Sequence, residues 1–273
     1  MSTQTIRDRL WIWGMQVNLL QSQDPDPTHG CPDSTLTTEE AMRRTGITNV
    51  LIAGALPLTR ETLDLMPSAK RIIAKWQIHK QETADFTGLS LDAQGGLENL
   101  LNAKRLAASD RRVEAYLLDD FSTGAVESGV GDSDIQMLAQ ANALHPPMVP
   151  LMATIYTMTL DDRNVQALLP HFAGYMTPLW HAADIKQLPA DVDKLADLSG
   201  GKPQLLCIYL FDFGNGKPAS FDLMRRQLEV AEQLIRDGKV FGSVVLGQCL
   251  MDLPLDAVRC FNEWLEERGD EPV

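Results

Sequence analysis

The sequence predicts a single (β/α)8 TIM barrel, an α/β fold occupying residues 1–273, on three observations. Eight apolar, β-prone runs can be counted along the chain. Each is followed by a helical pattern or by a stretch long enough to cross back over a sheet, the alternation that lays parallel strands under helices. The first run is followed by the polar, proline-rich QSQDPDPTHGCPD, where the nearest alternative, a doubly wound sheet, would place a glycine-rich phosphate loop.

The strands are expected near Leu10–Val17, Asn49–Ala53, Arg71–Ile78, Val113–Leu118, Val149–Ile155, Ala173–Pro178, Gln204–Leu210 and Phe241–Leu246. The first helix opens at Thr37 or Thr38 with Glu39 and Glu40 in its first turn and stops at Gly46. A hydroxyl cap, acids against the positive helix end and a terminal glycine are the chemistry each end asks for. Later helical patterns run over Gly96–Ala108, Asp132–Leu144, Asn164–Pro170, Val192–Leu198, Phe221–Asp237, where Gly238 ends it, and Leu255–Arg268. Two long stretches, Leu20–Leu36 and Lys80–Gly95, follow strands and are expected as loops on the face where such a barrel keeps its site.

The composition narrows the function. A chain of 273 residues, 44% of them hydrophobic, is long enough to bury a large core. Lys and Arg number 24 against 37 Asp and Glu, and the basic residues never gather into a run, which argues against nucleic acid or an anionic membrane as partner. No stretch reaches the roughly 18 to 20 apolar residues of a membrane span. Cys31, Cys207, Cys249 and Cys260 are widely spaced and form no CxxC, so they are expected as buried thiols of a reducing, cytoplasmic compartment. The opening residues read as a mature strand, since Gly14, Gln16 and Asn18 interrupt the apolar patch and no small-residue cleavage site follows.

The C-terminal ends of the strands are where a barrel converges its chemistry, and here they carry a particular mixture. The run VEAYLLDDFS delivers Asp119 and Asp120 at the end of the fourth expected strand. Gln16 and Asn18 follow the first strand, Gln77, His79 and Glu82 the third, Tyr156 the fifth, Trp180 and His181 the sixth, Tyr209 and Asp212 the seventh, and Gln248 the eighth. Carboxylates, amides and exposed aromatics together suit a sugar, whose C–H faces stack on rings while its hydroxyls pair with amides and acids. A small-molecule carbohydrate is therefore the expected partner. No zinc-spaced Cys/His cluster, HExxH or GxSxG occurs, and the DFG at Asp212 lacks the glycine-rich loop, strand lysine and HRD of a protein kinase. No cofactor is expected; spacing alone leaves an oxygen-rich divalent-metal site open.

Strand alternation assigns Tyr116, Leu118 and Asp120 to one face and Ala115, Leu117 and Asp119 to the other. On that basis Asp120 is expected to react, paired with Asp212 or Glu82, while Asp119 braces backbone N–H groups of the neighbouring loop. The same residues admit a metal-assisted sugar isomerase, epimerase or lyase using His79 or His181, and a sugar-binding barrel without turnover.

At LLDDFS, and again from Cys207 to Trp264, the chain resembles a group of uncharacterised bacterial (β/α)8 proteins described as glycoside-hydrolase-like. Their DDFF-like strand ending is matched by Asp119, Asp120 and Phe121, with Ser122 in place of the last aromatic. Their Y-x-x-D-F-G-N-x-K-P segment is matched by Tyr209, Asp212, Phe213, Gly214, Asn215, Lys217 and Pro218. The resemblance implies the barrel fold and, by analogy, carbohydrate processing.

Overall fold

A computed structural model describes residues 4–15, 36–53, 58–83, 86–91, 96–144, 147–247 and 250–273. Eight parallel strands close into a barrel: β1 (Leu10–Met15), β2 (Asn49–Ala53), β3 (Arg71–Thr83), β5 (Val113–Asp119), β6 (Leu151–Thr154), β7 (Gly174–Thr177), β8 (Gln204–Tyr209) and β11 (Gly242–Leu246). They pair in that order, and β11 returns to β1. Strands β5, β6, β7 and β8 are buried almost throughout, on the lumen side by one another and on the outer side by helices. That double burial is why they read as apolar runs rather than as alternating patterns.

The crossovers are α1 (Thr38–Thr45), α2 (Arg60–Asp64), α3 (Gly96–Ser109), α4 (Asp132–Leu144), α5 (Arg163–Leu168), α6 (Leu188–Ser199), α7 (Phe221–Arg236) and α8 (Asp256–Arg268). Helix α1 has the ends the sequence asks for. Thr37 accepts from the backbone of Glu40 while Glu40 accepts in return, and Gly46 closes the helix at φ 69°. The short α2, capped by Thr59, escapes the sequence reading because five residues give too little period to see.

The stretch expected as a loop over Lys80–Gly95 is largely strand. β3 runs on past the barrel rim to Thr83 and turns back as β4 (Phe86–Leu91), antiparallel in register from Ile78↔Leu91 to Thr83↔Phe86. This hairpin is held by ladder hydrogen bonds, and no long apolar run in the sequence announces it.

Two contacts fix which strand face looks inward. The Arg71 guanidinium lies 4.8 Å from the Trp11 ring centroid, and Lys75 Nζ lies 4.5 Å from that of Trp13. β1 and β3 are separated by β2, so these contacts cross the lumen. The β3–β5 register sets Lys75 beside Leu117 and Gln77 beside Asp119, so Asp119 shares the inward face. At the opposite end of the barrel the chain ends meet: Ile6 N donates to Glu271 O at 2.9 Å and Arg7 N to Gly269 O at 2.7 Å. Among the described residues no helix is long and apolar enough to cross a membrane.

Candidate active site

β5 ends in two carboxylates that reach the same mouth by different routes. Asp119, the last strand residue, points into the lumen and is buried. Its Oδ1 accepts from Thr154 Oγ1 at 3.0 Å, and its Oδ2 lies 2.5 Å from Lys75 Nζ. Burial pushes its carboxyl above the ordinary 3.8; the Lys75 ammonium opposes that push and the charge of Asp120 adds to it. The expected brace therefore takes a different form: among the described residues the partners of Asp119 are the side chains of Lys75 and Thr154, from the flanking strands.

Asp120 leaves the strand geometry altogether. At φ 47° and ψ 29° it is the one non-glycine residue with positive φ among those described, a conformation that aspartate tolerates better than most side chains. Its carbonyl then accepts from Gly124 N at 2.6 Å and Ala125 N at 3.3 Å as the chain widens into a π-helical turn, Phe121–Ala125. Left-handed backbone and π turns at a strand end recur where a side chain must be aimed. The consequence is that alternation does not extend to Asp120. The expectation that Asp119 and Asp120 face opposite ways fails here, because Asp120 Oδ1 accepts from the Tyr156 hydroxyl at 2.8 Å, beside the mouth that Asp119 also faces.

Tyr156 is fixed at both ends. Its backbone N–H donates to Ser122 Oγ at 2.9 Å, which gives the serine a role that an aromatic residue at that motif position could not fill. Its phenol is pushed far above the usual range by burial and by the charges of Asp120 and Asp119, so it serves as a hydrogen-bond donor. The Tyr156 ring meets Trp180 edge-on, centroids 6.2 Å apart, and Trp180 is 41% exposed. Across the lumen, Tyr209 and Cys207 are buried side by side, and burial raises both well above their ordinary values. Gln227 of α7 holds Tyr209 in place by accepting from its N–H at 2.9 Å and donating to its carbonyl at 3.0 Å.

Asp212 lies beyond β8 in the two-residue strand β9 (Phe211–Asp212), which pairs with β10 (Lys217–Pro218), and it is 2% exposed. Its Oδ2 accepts from Asn215 Nδ2 at 2.8 Å and its Oδ1 from Ala182 N at 3.4 Å. His181 is exposed and packs its ring against Gly214. Gln16, Asn18 and Gln248 lie outside the described residues. So do the side chains of Gln77, His79 and Glu82, whose backbone belongs to β3.

The structure thus brings together Asp119, Asp120, Tyr156, Trp180 and Tyr209 of the expected set. It adds Lys75, Trp13 and Ser122, and brings to them Thr154 from the end of the fifth expected strand. Lys75 had one signal, a cation inside an apolar run, whose meaning depends on the register of β3 against β5. Among the described residues no three His, Cys, Asp or Glu side chains gather as a metal site would need.

No protein-family description and no curated protein matches the chain. Solved structures do. An α-L-arabinofuranosidase from Thermotoga maritima, in its arabinose complex, superposes with a TM-score of 0.57 at 10% identity over 98% of this chain and 72% of that one. A protein provisionally assigned as an α-L-fucosidase from Bacteroides thetaiotaomicron gives 0.57 at 10% identity over 97% of both chains. A glycoside hydrolase family 17 β-1,3-glucanosyltransferase from Rhizomucor miehei gives 0.51 at 12% identity, over 89% of this chain and 87% of that one. At these identities the likeness is one of fold, the (β/α)8 barrel.

Proposed function

We propose that this chain is a carbohydrate-active enzyme of glycoside-hydrolase type, with Asp120 as its reacting carboxylate. The observation that carries the reading is the hydrogen bond from the Tyr156 hydroxyl to Asp120 at 2.8 Å, on a left-handed residue at the C-terminal end of a barrel strand. Backbone strain, a positioned donor and the catalytic face of the fold coincide at one carboxylate. Three solved barrels with similar folds, each named for action on glycosides or glucans, support the substrate class.

Glycosidic cleavage by carboxylates needs two of them in different protonation states. Asp120 acts as nucleophile or base, partly open to solvent with a phenol donating to it. Asp119, ion-paired with Lys75, is the charged neighbour that orients the site, which leaves Glu82, on β3, as the second carboxyl of the chemistry. Asp212, spent on Asn215 and on the Ala182 N–H, is a structural acid in this reading rather than the second catalytic one. The test is a screen of aryl glycosides and defined oligosaccharides, with products resolved by chromatography, run beside the Asp120→Asn variant. Cleavage or glycosyl transfer that the variant loses is the expected result. A screen with no product, or product formation indifferent to the substitution, overturns the reading.

A further inference from the structure

The motif segment from Tyr209 to Pro218 contains an aspartate, a glycine and an asparagine that the proposed chemistry does not use, and all three converge on one loop. Asp212 Oδ1 accepts from Ala182 N at 3.4 Å, and Asn215 Nδ2 satisfies the other carboxylate oxygen at 2.8 Å. Gly214 N donates to Trp180 O at 3.1 Å. A side chain at Gly214 would land on that same carbonyl and on the His181 ring, so only glycine lets the turn come this close. A buried carboxylate, its amide partner and a glycine without room for a methyl group therefore hold the backbone of Trp180–Ala182 from below.

What the loop presents is a large apolar ring facing water. Trp180 is 41% exposed and leans edge-on against Tyr156, whose hydroxyl reaches Asp120. In the turn after Tyr156, Met158 is 62% exposed, and Thr157 N meets Pro178 O at 3.5 Å, so this turn and the Trp180 loop run side by side at the rim. A lone exposed tryptophan is unremarkable in itself. One with buried polar groups fixing its backbone, a single ring's breadth from a candidate reacting carboxylate, is placed to be used.

We propose that the Asp212–Asn215 turn is a clamp that presents Trp180 as a stacking platform for a second sugar unit beside the one at Asp120, so that the substrate is an oligosaccharide and not a monosaccharide derivative. The inference rests on the carbohydrate reading above. Aromatic faces hold sugar rings through their C–H surfaces, and the platform selects a unit whose apolar face can lie flat on the indole.

The test is calorimetric titration of the whole chain with cello-, xylo-, laminari- and arabino-oligosaccharides of one to five units, with product analysis on the same samples. At least one series should bind ten times or more tightly as the chain lengthens from one unit to two or three. Trp180→Ala should abolish that gain at an unchanged melting temperature, Trp180→Phe should keep most of it, and Gly214→Ala should lose it with the indole still present. Absence of binding in every series, affinity indifferent to chain length, or a gain that survives Trp180→Ala overturns the platform. Should Gly214→Ala not fold, the two Trp180 variants decide the matter. Length-dependent, Trp180-dependent binding without products sinks the enzymatic reading and leaves the platform standing; products whose formation ignores both chain length and Trp180 do the reverse.

Discussion

Lys75 and Asp119 form an ion pair across two adjacent strands, Nζ to Oδ2 at 2.5 Å, with the Trp13 ring 4.5 Å from the ammonium. Their side chains are 17% and 5% exposed, so water screens the pair poorly and neither charge has an easy alternative partner. Removing one member of such a pair costs about 3 to 5 kcal/mol, because the other is left buried and uncompensated. Lys75→Met and Asp119→Asn should each destabilise the barrel on that scale, and the double variant by clearly less than their sum. Chemical denaturation of the four proteins gives the coupling directly. Additive effects would mean that the two side chains do not depend on each other.

Asp120→Asn separates charge from backbone. Asparagine tolerates the left-handed conformation as aspartate does, so the π turn and the Tyr156 contact can persist without a carboxylate. The expected outcome is turnover lowered by at least about a hundredfold, the lower range for a positioned acid-base group, with the melting temperature unchanged. A variant that keeps its rate would remove Asp120 from the chemistry.

The barrel was legible in the sequence because its evidence is local. The buried run from Val113 to Leu118 and the caps at Thr37 and Gly46 reappear within a residue or so of their expected places. The site was legible only in part, and the losses share a cause. Alternation ranks Asp120 and Asp119 on opposite faces only while the strand continues, and one left-handed residue ends that rule. Lys75 acquires its meaning from Asp119 on the next strand and Trp13 two strands away, contacts no window along the chain contains. Asp212 stands at a strand end as a catalytic acid would, and its contacts with Asn215 and the Ala182 N–H, on elements distant along the chain or beyond the strand, could not be read from its position.

Asp110 should contribute to the acid sensitivity of the fold. Hydrogen bonds from Arg112, strongest at 2.7 Å between Nη2 and Oδ2, hold its carboxyl below the ordinary 3.8 against the opposing effect of burial, and Arg60 adds a contact at 3.1 Å. A carboxylate with a depressed folded-state value stabilises fully above its unfolded value and loses that contribution as pH falls through the folded one. Stability should therefore decline below about pH 4 in the parent protein. Asp110→Asn should be less stable at neutral pH and decline less steeply on acidification. Parallel slopes for the two proteins in denaturant titrations from pH 6 downward would show that Asp110 makes no acid-sensitive contribution.

The clasp where the chain ends meet distinguishes carbonyl capping from ion pairing. Arg7 donates through Nη1 to Thr45 O, through Nη2 to Leu265 O at 3.2 Å and through Nε to Asp270 Oδ1 at 2.9 Å, so one guanidinium joins the last turns of α1 and α8 to the chain end. The carboxylate partner is 81% exposed, whereas the arginine side chain is 22% exposed and its two carbonyl partners sit at helix C-termini, where a cation also meets the negative end of the dipole. Exposed ion pairs contribute little, while carbonyls stripped of a donor away from water cost about 1 to 3 kcal/mol. Arg7→Ala should accordingly lower the melting temperature by several degrees, and Asp270→Ala should leave it where it was. Equal losses from the two substitutions would mean that the ion pair holds the ends together, and no loss from either would mean that the backbone bonds from Ile6 to Glu271 and from Arg7 to Gly269 suffice.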